Sequence, residues 1–123
     1  MIHPTAIISE SAKIGNNTSV GAYSIIEDNA ALGDNNIVKS HVTINAGTNI
    51  GVGNTFYPFS TIGEQSQDQS DKGIDTYLVI GDNNIFREHC AIHRGTAKDH
   101  KITKIGSNNL IMSHCHIAHD CVL

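Results

Sequence analysis

A chain of 123 residues has room for one domain. Only 39% of its residues are hydrophobic and 5% aromatic, lean for a globular core, and a net charge of −4 lacks the basic stripe that nucleic acid demands, so nucleic acid is not an expected partner. No apolar run reaches the about 18 residues of a membrane-spanning helix and the N-terminus does not read as a signal peptide, so the expectation is no integral membrane segment and a cytoplasmic location.

From Ile2 onward an aliphatic or aromatic residue recurs every sixth position: Ile2, Ile8, Ile14, Val20, Ile26, Leu32, Val38, Ile44, Ile50, Phe56 and Ile62. A helix would scatter a period of six around its cylinder, whereas six is a multiple of the strand repeat. Every member of the series can therefore face the same side of a pleated segment. A fixed period of this kind marks a solenoid of hexapeptide repeats, an all-β parallel helix. Three short strands close a triangular coil of about 18 residues, and coils stack at about 4.8 Å. Such an array needs little apolar content, because each repeat buries one large residue against its neighbours.

Glycine often follows the series member, as at Gly15, Gly21, Gly33, Gly51, Gly63, Gly81 and Gly106, and Asn or Asp crowd the next positions. These residues accept positive φ at low cost, so the segment reads as a corner between strands. The single domain is expected to span 1–123 with external loops at about 64–79 and 94–104. The first loop, polar from Glu64 to Thr76, reads as thrown out in place of about one coil, because Ile80, Phe86 and Ile92 resume in the original phase. After the second, the series restarts one position out of phase at Ile105, Ile111, Ile117 and Leu123. Loops on a rigid repeat scaffold are where binding residues usually gather.

Cys90, Cys115 and Cys121 each sit four residues after a series member, a slot that holds Ala6, Ala12, Thr18, Ser24, Ala30 and Ser60 earlier. They read as small buried residues rather than as redox or metal groups. The histidines are more informative. His93, His114, His116 and His119 crowd one segment, and in His116-Ile117-Ala118-His119-Asp120-Cys121 an aspartate directly follows the second histidine of a His-x-x-His pair. A general base needs an imidazole that titrates near neutrality and an acceptor that fixes its tautomer. Asp120 or a backbone carbonyl supplies that acceptor for His119. The alternative is that these histidines are solvent-facing turn residues.

Four motifs carry a resemblance: Lys39-Ser40-His41-Val42, Gly63-Glu64-x-x-Gln67-Asp68, Ile92-His93-Arg94-Gly95-Thr96 and the His116–Cys121 stretch. Together they resemble the acyl-carrier-protein–UDP-N-acetylglucosamine O-acyltransferase family, which opens lipid A synthesis in Gram-negative bacteria. The resemblance implies a left-handed parallel β-helix, a homotrimer with active sites between subunits, and no cofactor or metal. It implies that His119 is the general base for the glucosamine 3-hydroxyl of UDP-N-acetylglucosamine, supported by Asp120. The acyl donor would be a (3R)-3-hydroxyacyl chain on acyl carrier protein. Gln67, Asp68, His93 and His116 match positions that line the substrate pocket.

The chain departs from the family in two ways. Where the family carries a sugar-nucleotide lysine in the first loop, this chain has Ser70, with Lys72 two residues later as the expected replacement. Family members are also longer, with further coils and a C-terminal helical domain that carry the oxyanion-hole glycine, the distal acyl pocket and the carrier-docking residues. The chain is accordingly expected to be an N-terminal portion or a short homologue, with little transfer activity by itself. Two rival readings stand beside this one. Left-handed β-helices also hold zinc in a carbonic-anhydrase-like family, on three histidines across a trimer interface, and His93, His114 and His119 imitate such a ligand set. The other rival is a trimeric scaffold without catalysis.

Overall fold

The computed structural model describes residues 1–68, 76–97, 99 and 101–123, and every strand pairing in it is parallel. Among the described residues, sixteen strands, numbered along the chain, form three sheets. The first stacks β1 (Ile7–Ile8), β4 (Ile25–Ile26), β7 (Thr43–Ile44), β10 (Thr61–Glu64), β13 (Ala91–His93) and β16 (His116–Ile117). The second stacks β2 (Lys13–Ile14), β5 (Ala31–Leu32), β8 (Thr48–Ile50), β11 (Tyr77–Ile80) and β14 (Ile102–Ile105). The third stacks β3 (Ser19–Val20), β6 (Ile37–Val38), β9 (Thr55–Phe56), β12 (Ile85–Phe86) and β15 (Leu110–Ile111). Each turn of the chain visits the three sheets in order.

The hexad residues pair with one another. In the first sheet Ile8, Ile26, Ile44, Ile62, Ile92 and Ile117 lie in register, and in the third Val20, Val38, Phe56, Phe86 and Ile111 do. Most of them point inward and are buried, with Phe56 and Phe86 stacked at 4.9 Å. Burying each Ile or Phe side chain contributes about 1.5–3 kcal/mol, which is how one large residue per hexad holds the stack. Ile2 and Leu123, in the first and last coils, are 48% and 56% exposed.

The corners follow a different rule from the one the glycines suggest. Positive φ falls three residues after the series member, at Asn17, Tyr23, Asn29, Asn35, His41, Phe59, Asn83, His89, Asn108, His114 and Asp120. Apart from Gly63, at φ 92°, the glycine next to the series member is instead required by crowding. A Cβ on Gly51 would lie 2.1 Å from Asp82 Oδ1 and 2.6 Å from the Gly81 carbonyl oxygen, in the coil stacked against it. The Asn that follows the positive-φ residue at this corner has a third role. Asn36, Asn54 and Asn84 are fully buried and form a ladder, each side-chain oxygen accepting the backbone N–H of the Asn one coil on, ending on Asn109. At another corner the rings of Tyr23, His41, Phe59, His89 and His114 form a column with centroid separations of 4.8–5.4 Å.

Both insertions leave the prism between the first and second sheets without removing a coil. Ile50 to Ile80 spans 30 residues where Leu32 to Ile50 spans 18, yet Ile80 pairs directly with Ile50. The first insertion is therefore a lateral excursion, not a replacement for a coil. The strands also reach further into the inserted segments than the sequence indicates, since β10 includes Glu64, β11 begins at Tyr77 and β14 begins at Ile102. The cysteines grade outward: Cys90 is buried, Cys115 half-buried and Cys121 exposed. Cys121, in the same slot, departs from the buried expectation. Burial pushes the Cys90 thiol up from its ordinary value, consistent with an inert packing role.

Candidate active site

The corner that emits both insertions also carries the His-x-x-His pair. Ala118-His119-Asp120 turns between β16 and Val122, which bridges to Lys104. Asp120 takes the left-handed corner conformation, φ 63°, and its N–H donates to Thr103 Oγ1 at 2.8 Å. The conformation turns the carboxylate inward, leaving the side chain only 4% exposed. There the Thr96 N–H donates to Oδ1 at 3.0 Å and to Oδ2 at 3.2 Å, and the Thr96 hydroxyl donates to Oδ2 at 2.6 Å. His119 Nδ1 completes the set at 2.9 Å from Oδ2.

Burial alone would raise the Asp120 pKa, but hydrogen bonds from the Thr96 hydroxyl, His119 and the Thr96 N–H outweigh it and hold the carboxyl below its ordinary value. The carboxylate is therefore ionised at neutral pH and can only accept. The proton between it and His119 belongs to Nδ1, which leaves the Nε2 lone pair available. The His119 side chain is 33% exposed, so one end of the ring is fixed by the protein while the other remains within reach of a reactant.

His93 is buried and its Nδ1 lies 2.8 Å from the Gln65 carbonyl oxygen, which also only accepts, so Nδ1 is the donor. A bulge in β10 at Ile62 and Glu64, with Gly63 at φ 92°, brings Gln65 over the strand end. His116 meets His93 edge to face at 4.8 Å. Loss of hydration, and then the nearby His93 and His119 imidazoles, lower the His116 pKa. His116 is therefore neutral at pH 7.

Of the residues read from sequence, the corner brings together His93, His116, His119 and Asp120. Gln67 is exposed and Asp68 half-buried, two and three residues beyond the carbonyl that holds His93, and the Asp68 N–H donates to Ser66 Oγ at 3.0 Å. Lys72 lies outside the described residues. His114 belongs to the ring column, parallel to His89 at 4.8 Å, and within one chain His93, His114 and His119 do not come together among the described residues. No other group of three metal-ligating side chains comes together among the described residues. Sequence reasoning missed Thr96, Thr103 and Gln65. Thr96 stood inside a quoted motif, but nothing in its spacing shows that it faces Asp120.

A prism of hexad coils visiting three parallel sheets in turn is the architecture of the hexapeptide-repeat proteins, a left-handed parallel β-helix. The family model described as bacterial transferase hexapeptide (six repeats) matches residues 11–46. Within that class, the chain is similar along its whole length to the acyl-[acyl-carrier-protein]–UDP-N-acetylglucosamine O-acyltransferases. It is 48% identical over 122 residues to the Psychrobacter sp. (strain PRwf-1) member, covering 99% of this chain and 47% of that one. The UDP-N-acetylglucosamine O-acyltransferase structure from Moraxella catarrhalis superposes with a TM-score of 0.97 at 51% identity, covering 99% of this chain and 48% of that one. The Francisella novicida UDP-N-acetylglucosamine acyltransferase gives 0.97 at 44%, covering 100% and 45%. The chain thus spans about half the length of these relatives.

Proposed function

We propose that this chain forms the general-base half of an acyl transfer site. It would move a (3R)-3-hydroxyacyl group from acyl carrier protein to the 3-hydroxyl of UDP-N-acetylglucosamine. The observation that carries the reading is the His119–Asp120 pair, whose hydrogen bonding places the proton on Nδ1 and leaves Nε2 basic. Nε2 takes the hydroxyl proton as the sugar oxygen attacks the thioester carbonyl. The new C–O bond forms, the C–S bond breaks, and the imidazolium returns the proton to the departing thiolate. Asp120, anionic throughout, stabilises the imidazolium between these steps. A sugar hydroxyl is a weak nucleophile and needs this base, whereas a thioester is already activated and needs no cofactor.

His93, His116, Gln67 and Asp68 bind the nucleotide sugar and acyl group, and Lys72 takes the part of the family's loop lysine, as the family resemblance implies. The protein is read as one β-helix unit that assembles as a homotrimer in the cytoplasm, as its family resemblance implies. The test is transfer from 3-hydroxyacyl carrier protein to UDP-N-acetylglucosamine, followed by mass spectrometry alongside calorimetric titration of the sugar nucleotide. The reading expects His119→Ala to bind the sugar nucleotide without transferring the acyl group. Turnover by that variant equal to the unmodified chain would remove His119 from the reaction.

A further inference from the structure

The second insertion does not merely wall the site. Its chain is shaped around one residue, Thr96, which is fully buried. The Thr96 carbonyl accepts the N–H groups of Asp99 at 3.3 Å and Lys101 at 3.0 Å, which closes the insertion into a turn. Just before it, the Gly95 N–H donates to the Tyr77 carbonyl at 3.1 Å, and a Cβ on Gly95 would lie 2.2 Å from the Ile102 nitrogen and the Lys101 carbonyl carbon. Only a residue without a side chain lets those backbones close so tightly. Arg94 ties the start of the insertion to the body by donating from Nη1 to the Ala46 carbonyl at 3.0 Å. The insertion thus returns to the prism already fixed at both ends, with Thr96 facing Asp120.

We propose that Thr96 is a positioning residue for the acyl transfer, acting on His119 through Asp120. The inference rests on the general-base reading given above. The Thr96 hydroxyl has a single hydrogen, and an ionised carboxylate only accepts, so that hydrogen is committed to Oδ2. The Thr96 N–H spans both oxygens and fixes the carboxylate plane. With the plane fixed and Oδ2 held in place, His119 finds its acceptor in one direction only. Without the hydroxyl, the carboxylate keeps the backbone donor but gains freedom to rotate, and the imidazole loses its preference for a proton on Nδ1. Thr103 performs a different task, holding the Asp120 backbone in its left-handed turn.

The experiment compares the unmodified chain, Thr96→Val, Thr96→Ser and His119→Ala in steady-state acyl transfer, and reads the His119 tautomer by nitrogen-15 NMR. Thr96→Val is expected to lower kcat about tenfold, the size of one hydrogen bond to a charged group, with KM for the sugar nucleotide unchanged. Thr96→Ser restores most of the loss, because it keeps the hydroxyl and removes only a methyl group. The unmodified chain shows the Nδ1–H tautomer and a slowly exchanging Thr96 hydroxyl proton, while Thr96→Val shows a mixture of tautomers. An unchanged kcat and tautomer in Thr96→Val, or a serine variant as impaired as the valine, overturns the proposal. An Nε2–H tautomer in the unmodified chain overturns it even where a variant fails to fold. An active His119→Ala instead sinks the general-base reading, and where transfer by the unmodified chain is too slow to compare, the NMR arm still decides what Thr96 does to the ring.

Discussion

His93 and His116 touch edge to face at 4.8 Å because the strands that carry them are neighbours in one sheet, with Ala91 paired to His116 across the second insertion. Loss of hydration at the corner, and then the neighbouring imidazoles, make a charge on His116 costly in the folded state.

That cost has a pH signature. Unfolding restores the ordinary histidine pKa, so as pH falls through that value the unfolded chain takes up a proton that the folded chain resists. The stability linked to His116 is therefore complete above the ordinary histidine value and declines as pH falls through the lowered folded value. His116→Gln is expected to flatten the dependence of Tm on pH across this mildly acidic window. A variant whose Tm follows the same slope as the unmodified chain would assign the dependence to another group.

Asp120 acts at lower pH with the same sign. Its folded carboxyl is held below the ordinary value, so its contribution is present at neutral pH and is lost as acid protonates it through that lowered value. Asp120→Asn places an amide among the Thr96 donors, and a loss of about 1–3 kcal/mol at neutral pH is expected from urea denaturation. The acid limb of the stability profile should flatten with it.

Turnover is the most sensitive readout at His119. Removing a general base costs about 10²–10⁴ in rate, and His119→Ala is expected to lose at least that much kcat. The side chain is one-third exposed and, among the described residues, bonds only to Asp120, so Tm should move little. A large drop in Tm would mean that the histidine holds the corner together.

The asparagine ladder makes a separate prediction about the fold. Asn54→Ala strands the Asn84 N–H and removes a donor from the Gly81 carbonyl, both inside the prism. A destabilisation on the order of 3 kcal/mol is expected in denaturant titration.

Close stacking of the coils is tested at Gly51. Gly51→Ala drives a methyl group into the Gly81 carbonyl and Asp82, and overpacking of this kind costs about 1–3 kcal/mol. Val52→Ala, at a 41% exposed neighbouring position, should change stability far less.

The repeat architecture was legible because each hexad states its own strand, and the inward series from Ile8 to Ile117 was readable residue by residue. The glycines were read for the wrong reason. Their φ is ordinary at Gly51, where distance to the next coil, a property of two segments at once, forbids a side chain. Asn35 and Asn36 are adjacent and chemically identical, yet one turns a corner at positive φ and the other is sealed inside. No local pattern separates them. At the site, His119 and Asp120 were legible because they adjoin in sequence. Thr96 was not, since its contact with Asp120 crosses 24 positions and depends on how the second insertion folds back.

The way both insertions return to an unbroken register has a consequence for comparing relatives. A residue gained or lost within a hexad would exchange the inward and outward sets of the strand that follows. At the corner between the first and second sheets, added length is absorbed outside the prism, and Ile80 and Ile105 still land on their partners. Alignment gaps among homologues should therefore collect at that one edge. Length variation elsewhere would mark a misaligned sequence or a different fold. The edge most open to evolutionary change in length is the one that carries His119.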